Sequence, residues 1–173
     1  MEKDISSKEI VTVVVDASTI IALCRINKLQ LLKHLLGKIY IPNAVYYEVV
    51  IKGREKKGAN IVKEAIGKWI ERKEVENRVA VDLLSGNLGD GEAESIVLAK
   101  ELGADLLVID EEKAKKLAIS KKLPVVGLVR ILIWAKRKGL MKELKPSLDE
   151  LVKAGFRLDD ETYSYVLQME GEL

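Results

Sequence analysis

The stretch GDGEAESIVLAKELGADLLVID, residues 89–110, joins a helical segment to a strand that is apolar on both faces. Two glycines open it, apolar residues then recur at helical spacing as far as Leu102, and the run ADLLVI ends at Asp110. An uninterrupted apolar run of this kind is typical of a strand buried in a parallel sheet. The stretch therefore predicts a helix followed by a central strand, with an acidic residue where that strand ends.

Similar units precede and follow this stretch. The β-branched run IVTVVV, residues 10–15, also ends at an acid, Asp16, and further strands are predicted at KIYI, KWIERKEV and PVVG, with helical segments between them. Strands that alternate with helices indicate a mostly parallel sheet with helices on both faces. We therefore predict an α/β fold, a three-layer α/β/α sandwich in a single domain over residues 1–173, with residues 142–173 as a C-terminal helical extension.

Three carboxylates crowd the start of the helix in the opening stretch. Asp90 is predicted to be its N-cap, because short polar side chains accept hydrogen bonds from the first backbone N–H groups of a helix. At about 100° per residue, Glu92 falls on the apolar face of Ile96, whereas Glu94 falls on the opposite, polar side. We therefore predict that Glu92 points inward and Glu94 towards solvent. A carboxylate on the buried face needs a cation or hydrogen-bond donors.

Acidic residues also end the two most apolar strands. Asp16 and Asp110 each follow such a strand, and the carboxyl ends of parallel strands share one edge of a sheet, where ligands bind. The two acids are therefore expected to converge. Glu48, in the helical segment PNAVYYEVVI, lies on the same rough face as Ala44 and is expected to be partly inward.

The composition excludes several classes of site. Lys and Arg total 29 and Asp and Glu 27, and the resulting net charge of +2 does not by itself indicate a nucleic-acid partner. The single cysteine, Cys24, and the single histidine, His34, exclude a disulfide framework and a zinc site built from several such ligands. The N-terminus MEKDISSKE has no apolar signal core, and the longest apolar window is too short to span a bilayer. We expect a soluble, cytoplasmic protein without membrane association.

The segments VVVDAST, IPNAVYYEV, GDGEAESIVLAKELGADLLVID and AGFRLDDETYSYVL, taken in order, resemble the PIN-domain nucleases, most closely a prokaryotic branch whose helix begins with GEAE. The resemblance covers nearly the whole chain. It implies an α/β/α sandwich in which about four acids hold Mg²⁺ or Mn²⁺ and cleave single-stranded or structured RNA. The catalytic acids implied by position are Asp16, Glu48, Glu92 and Asp110. Of these, Asp16, Glu92 and Asp110 are the expected metal ligands.

Glu92 departs from the wider family, in which Asp is common at the third acidic position. Asp90 and Glu94, two residues away on either side, are the alternative candidates for that role. Mg²⁺ takes oxygen ligands, so carboxylates without histidine are an expected set, and crowded carboxylates without a cation would have raised pKa values. Accessory positions are expected at Ser18, Asp90, Glu111 and Glu112.

The resemblance also implies partners. RNA contacts are expected in the basic loop KGREKK, at Lys52, Arg54, Lys56 and Lys57. Small PIN proteins resemble the toxin half of toxin–antitoxin pairs and commonly form homodimers, so we expect a homodimer and a small antitoxin partner. The alternative is a PIN-like fold that no longer cleaves and serves as a nucleic-acid-binding or protein-binding regulatory module. The full set of acids favours the nuclease.

Overall fold

The computed structural model describes residues 12–173. Within these residues a single sheet of parallel strands forms in the order β3-β2-β1-β4-β5. The strands are β1 (Val13–Val15), β2 (Ile39–Pro42), β3 (Ile70–Lys73), β4 (Leu106–Val108) and β5 (Val125–Val126). Each coincides with a predicted strand, although the start of the first prediction, residues 10 and 11, lies outside the described residues.

Helices occupy the connections between the strands and the C-terminal part of the chain. They are α1 (Ala17–Arg25), α2 (Gln30–Leu36), α3 (Asn43–Tyr46), α4 (Ala59–Ala65), α5 (Arg78–Ser85), α6 (Asp90–Glu101), α7 (Glu112–Ser120), α8 (Leu128–Arg137), α9 (Lys145–Lys153) and α10 (Asp160–Met169). A π-helix, Tyr47–Lys52, continues α3, so the single helix predicted over PNAVYYEVVI divides into two. Throughout the described part of the chain, every helix is too short or too polar to traverse a bilayer.

The sheet separates two hydrophobic cores. Val13 and Val15 face the core that contains buried residues of α1, α2 and α8, whereas Val14 faces the core built with α6 and α7. This division follows from the pleat, because successive side chains of a strand point to opposite faces. The α/β/α sandwich predicted from the sequence is therefore confirmed.

Asp16 and Asp110 follow β1 and β4, the adjacent strands between which the strand order reverses. Val15 pairs with Val108, and the backbone N–H of Asp16 donates to the carbonyl of Val108 at 3.0 Å. Ligands of open parallel sheets bind outside the carboxyl ends of the strands at such a point. Because α6 runs from this edge back to the start of β4, its first turn, which begins at Asp90, lies at the same edge.

Helices α9 and α10 lie within the predicted extension, residues 142–173, and pack on the core that contains α1. Leu148, Leu151 and Leu167 are fully buried there. Near the chain end, the Glu172 carboxylate accepts the backbone N–H of Leu144 at 2.6 Å and so holds α10 against the start of α9. A separate boundary at residue 142 stays a prediction.

Candidate active site

Asp16 connects β1 to α1 and is almost completely buried, with 2 % of its surface exposed. Its side chain caps α1, because Oδ1 accepts the backbone N–H of Thr19 at 3.1 Å, and Oδ2 accepts the Ser18 hydroxyl at 2.9 Å. Burial raises the pKa of Asp16 from 3.8 to about 6 despite these hydrogen bonds, and the nearby Asp110 carboxylate adds to the rise. A carboxyl group perturbed in this way is a candidate functional group.

Asp110 is held at the start of α8. Each of its carboxylate oxygens lies 3.1 Å from the backbone N–H of Leu128, and Oδ2 also accepts the Thr19 hydroxyl at 3.3 Å. Gly127 permits this approach, since a Cβ there would lie 2.6 Å from Asp110 Oδ1. Burial raises the pKa of Asp110, and these hydrogen bonds partly offset the rise. Thr19 binds Asp16 through its N–H and Asp110 through its hydroxyl, and therefore bridges the two strand-end acids.

A cavity of about 760 Å³ opens beside Asp16 at the carboxyl edge of the sheet. Asp16, Glu48 and Glu92 all line it. Asp110 does not line it and reaches the cavity wall only through the Thr19 bridge to Asp16. Three of the four acids expected to be catalytic are therefore brought to one cavity, and the fourth is coupled to one of them.

Glu48 reaches the cavity from the π-helix. Such helices are rare and occur frequently at functional sites. Gly91 lets the side chain approach α6, because a Cβ at that position would lie 3.1 Å from Glu48 Oε2. Partial burial and the neighbouring Glu92 carboxylate raise the pKa of Glu48, although the residue remains open to solvent on one side.

Glu92 is half-buried in the first turn of α6 and lines the cavity, in agreement with the inward direction predicted for it. Its Oε2 accepts the backbone N–H of Gly89, the N-cap residue, at 2.7 Å. The side chain thus caps its own helix in the manner of the glutamate of a capping box. One oxygen of Glu92 is therefore already bound to the backbone.

The prediction that Glu94 faces solvent is wrong. Only 6 % of the residue is exposed, and its Oε2 accepts the backbone N–H of Ala44 at 2.7 Å while Oε1 accepts the Arg78 guanidinium at 2.6 Å. The physical reason is that α3, α5 and α7 pack around α6 on the sides that the sheet leaves open, so all residues from 93 to 99 are buried. Helical periodicity cannot identify a solvent face on a helix that has almost none.

The prediction that Asp90 caps α6 is also wrong. Gly89 is the N-cap, and Asp90 is the first residue of the helix. The Asp90 side chain is exposed at the cavity wall, where its charge still complements the positive end of the helix dipole.

Basic side chains share the cavity wall with the acids. They are Lys52, Arg72 and Arg78. Lys52, the first residue of the segment KGREKK in which RNA contacts were expected, is the last residue of the π-helix and not part of a loop. The other three residues of that prediction are exposed and do not line the cavity: Arg54, Lys56 and Lys57.

Arg72 and Arg78 were not predicted from the sequence. Arg72 is fixed in place, because its Nε donates to Asn43 Oδ1 at 2.7 Å and its guanidinium lies 4.2 Å from the centre of the Tyr46 ring. The charge of Arg78 is paired with Glu94. Two contacts thus orient the Arg72 guanidinium at the cavity, and it forms no ion pair with a carboxylate among residues 12–173.

Of the accessory residues, Ser18 lines the cavity and orients Asp16 through its hydroxyl. Glu111 is the N-cap of α7 and accepts the backbone N–H of Ala114 at 2.8 Å. Glu112 forms a surface ion pair with Lys116. Neither glutamate lines the cavity.

The chain matches a protein-family model for a PIN domain over residues 12–172. The protein belongs to the PIN-domain family. PIN domains are generally nucleases that hydrolyse nucleic acids and use divalent metal ions, so the match implies a nuclease-type fold and a nucleic-acid substrate. No curated protein matches the chain.

The carboxylates that line the cavity of this PIN domain are the type of ligand that a hard divalent cation binds. Asp16, Glu48 and Glu92 offer only oxygen atoms to the cavity, and oxygen is the ligand that Mg²⁺ and Mn²⁺ prefer. The raised pKa values of Asp16 and Glu48 show that negative charge is disfavoured there, a condition that a cation reverses. Within residues 12–173, no three acidic, histidine or cysteine side chains yet lie close enough to share one ion. A cation shared by three of these carboxylates therefore requires a different side-chain arrangement from the one described here.

The raised pKa of Asp16 predicts a pH-dependent stability in this PIN domain. Because the folded-state pKa, about 6, exceeds the ordinary 3.8, the folded protein binds this proton more tightly than the unfolded chain does. The contribution of this bound proton to the free energy of unfolding is fully present below about pH 4 and is lost as the pH rises through about 6. With chelator present, the free energy of unfolding of the wild type should fall by about 3 kcal/mol relative to Asp16→Asn over this range. Urea unfolding of both proteins measures this difference, and a constant difference would contradict the raised pKa.

Proposed function

We propose that the protein is a Mg²⁺- or Mn²⁺-dependent endoribonuclease, which hydrolyses phosphodiester bonds in RNA. The observation that carries this proposal is the convergence of Asp16, Glu48 and Glu92 on one cavity at the carboxyl edge of the sheet. In a member of a nuclease family, carboxylates around an open cavity supply ligands for a cation and leave space for a phosphodiester.

Each acid has a distinct role in the proposed reaction. Asp16 and Glu92 would hold the ion, together with Asp110, the third ligand that the resemblance implies, although the Asp110 carboxylate does not line the cavity. When bound, the ion would lower the pKa of water and stabilise charge on the leaving oxygen. The Ser18 hydroxyl keeps the Asp16 carboxylate in one orientation. Glu48 has a raised pKa and an open face, so it is suited to take a proton from the attacking water.

RNA as the substrate is supported by the cations around the cavity. A phosphodiester strand that approaches several carboxylates needs nearby positive charge to offset their repulsion. Arg72 and Lys52 line the same cavity as Asp16, and Arg72 is held by a hydrogen bond and by the Tyr46 ring. A fixed guanidinium is a good phosphate ligand, because its N–H donors match the phosphate oxygens.

The proposal includes partners. We propose a homodimer and a small antitoxin protein that inhibits it, as the resemblance to toxin nucleases implies. Support comes from α5, where Val79 and Leu83 are 70 % and 76 % exposed and lie one helical turn apart. Exposed apolar residues arranged in this way are typical of protein contact surfaces.

The function is tested with end-labelled single-stranded RNA. The wild type should produce internal cleavage products with Mn²⁺ or Mg²⁺ and none with excess chelator. If the wild type binds RNA but cleaves none with either ion, the proposal is wrong, and the non-catalytic regulatory module becomes the better description.

Glu92→Gln should weaken Mn²⁺ binding and RNA cleavage by at least about 100-fold, because a charged ligand is replaced by a neutral amide. The amide oxygen can still accept the Gly89 N–H, so stability should change little. Mn²⁺ affinity is measured by calorimetry and cleavage by the RNA assay. Glu112→Gln is the matched control, since Glu112 is a surface residue of α7 outside the cavity and should be dispensable for both. Equal losses in the two variants would exclude Glu92 as a ligand.

A further inference from the structure

A second, smaller groove continues from the acidic cavity. It has a volume of about 260 Å³ and shares Ser18 and Glu48 with the cavity. One wall is a single face of α1, formed by Ser18, Ile21, Ala22 and Arg25. These residues follow helical spacing, so the groove extends about 10 Å along α1 from the cavity to Arg25.

The opposite wall is the turn that ends α9. Gly155 has a φ of +98°, its N–H donates to the carbonyl of Val152 at 3.0 Å, and the N–H of Phe156 donates to the carbonyl of Leu151 at 2.9 Å. These two bonds make a Schellman motif, which needs a left-handed residue and therefore favours glycine. The motif fixes the backbone that carries Phe156 and Arg157, and both residues line the groove.

Two arginines, Arg25 and Arg157, line the groove. Arg25 donates from Nη1 to the carbonyl of Ala154 at 3.2 Å, which holds its guanidinium against the turn and leaves its other N–H groups available. Within residues 12–173, neither Arg25 nor Arg157 forms an ion pair, whereas Arg78 and Arg137 each do. The groove therefore presents positive charge directly beside the carboxylate cavity.

We propose that this groove binds the RNA strand next to the cleaved bond, with Arg25 and Arg157 on a backbone phosphate and Phe156 against the neighbouring base. The inference rests on the proposed ribonuclease function. Guanidinium groups match phosphate oxygens, and an aromatic ring offers a stacking surface to any base. Phe156 is the only phenylalanine in the chain and is partly exposed. Arg25 and Arg157 add positive charge to that of Lys52 and Arg72 in the cavity, and the groove sets the direction in which the strand leaves.

The test measures the binding of fluorescein-labelled single-stranded RNA by anisotropy in chelator, at several salt concentrations, so that no cleavage occurs. The Arg25→Gln/Arg157→Gln double variant should bind at least about tenfold more weakly, and the slope of log affinity against log salt should fall by about 1.4 for two lost phosphate contacts. Phe156→Leu keeps an apolar side chain at the turn and should weaken binding at least about fivefold without changing this slope.

Lys121→Gln is the matched charge control. Lys121 follows α7, whose end lies at the opposite edge of the sheet from the acids, so its loss should leave RNA affinity unchanged. Cleavage with Mn²⁺ is measured in parallel. If the wild type cleaves RNA and the double variant binds RNA as well as Lys121→Gln does, the groove is not the RNA site although the ribonuclease function stands. If the wild type neither binds nor cleaves RNA, the proposed function is itself wrong, and this inference is overturned with it.

Discussion

The Asp16→Asn variant should cleave RNA at least about 1000-fold more slowly than the wild type, the largest loss expected for any single substitution in this chain. Asp16 is the most buried acid of the cavity, and its carboxylate is oriented by Thr19 and Ser18. An amide at this position carries no negative charge and binds a divalent cation poorly. The rate is measured with end-labelled RNA at saturating Mn²⁺.

The fold of this variant should be intact, which separates loss of chemistry from loss of structure. Asparagine is as good an N-cap as aspartate, and its carbonyl oxygen can accept the Thr19 N–H that Asp16 accepts now. In chelator at neutral pH the variant should be more stable than the wild type, because a buried charge with a raised pKa has been removed. Thermal unfolding measures this. A variant that is folded and cleaves RNA at the wild-type rate would remove Asp16 from the site.

The two strand-end acids could be predicted from the sequence because their strands allow no other arrangement. Every residue from Leu106 to Ile109 is apolar and buried, so the run needs a sheet with helices on both faces, and Asp110 must then lie at its carboxyl edge. The same holds for Val13–Val15 and Asp16. Local patterning was sufficient here, since the edge of a parallel sheet is fixed by the direction of the strands alone.

The basic wall of the cavity could not be predicted, because it depends on the order of the strands. Arg72 lies in β3, which pairs with β2 at the edge of the sheet, and this order brings it beside Asn43, the first residue of α3. The sequence does not encode that order in any local pattern. The π-helix that carries Glu48 is a similar case, because it packs against α1 and α4, and no local pattern in the sequence distinguishes it from an α-helix.

The orientation of Glu94 was predicted wrongly because the middle of α6, residues 93–99, is buried on all sides. Phasing a helix identifies its inward face only if another face meets solvent. Here Glu94 was assigned to a polar face that instead packs against α3 and α5. The two glutamates therefore have separate tasks: Glu92 lines the cavity, and Glu94 joins three helices.

Replacing Glu94 by alanine should lower the free energy of unfolding by about 2–4 kcal/mol, the largest loss of stability expected among the acids of the cavity. The substitution removes the acceptor of the Ala44 N–H and leaves a gap between α6 and α3. The Arg78 ion pair contributes little to this loss, because 55 % of the Arg78 side chain is exposed and can be solvated. Glu94→Gln keeps an acceptor oxygen and should lose less, about 1 kcal/mol.

Urea unfolding of Glu94→Ala, Glu94→Gln and Glu92→Gln tests the separate roles of the two glutamates, with Glu64→Ala as the control at an exposed position of α4. Below its unfolding transition, Glu94→Ala should still bind Mn²⁺ within about threefold of the wild type, since Glu94 donates no ligand, whereas Glu92→Gln should be stable and bind Mn²⁺ poorly. Glu64→Ala should change stability by no more than about 0.5 kcal/mol. If Glu94→Ala unfolds with Glu64→Ala while Glu92→Gln is the destabilised protein, then Glu94 does not hold α3 in place, and Glu92 is the glutamate that stabilises α6.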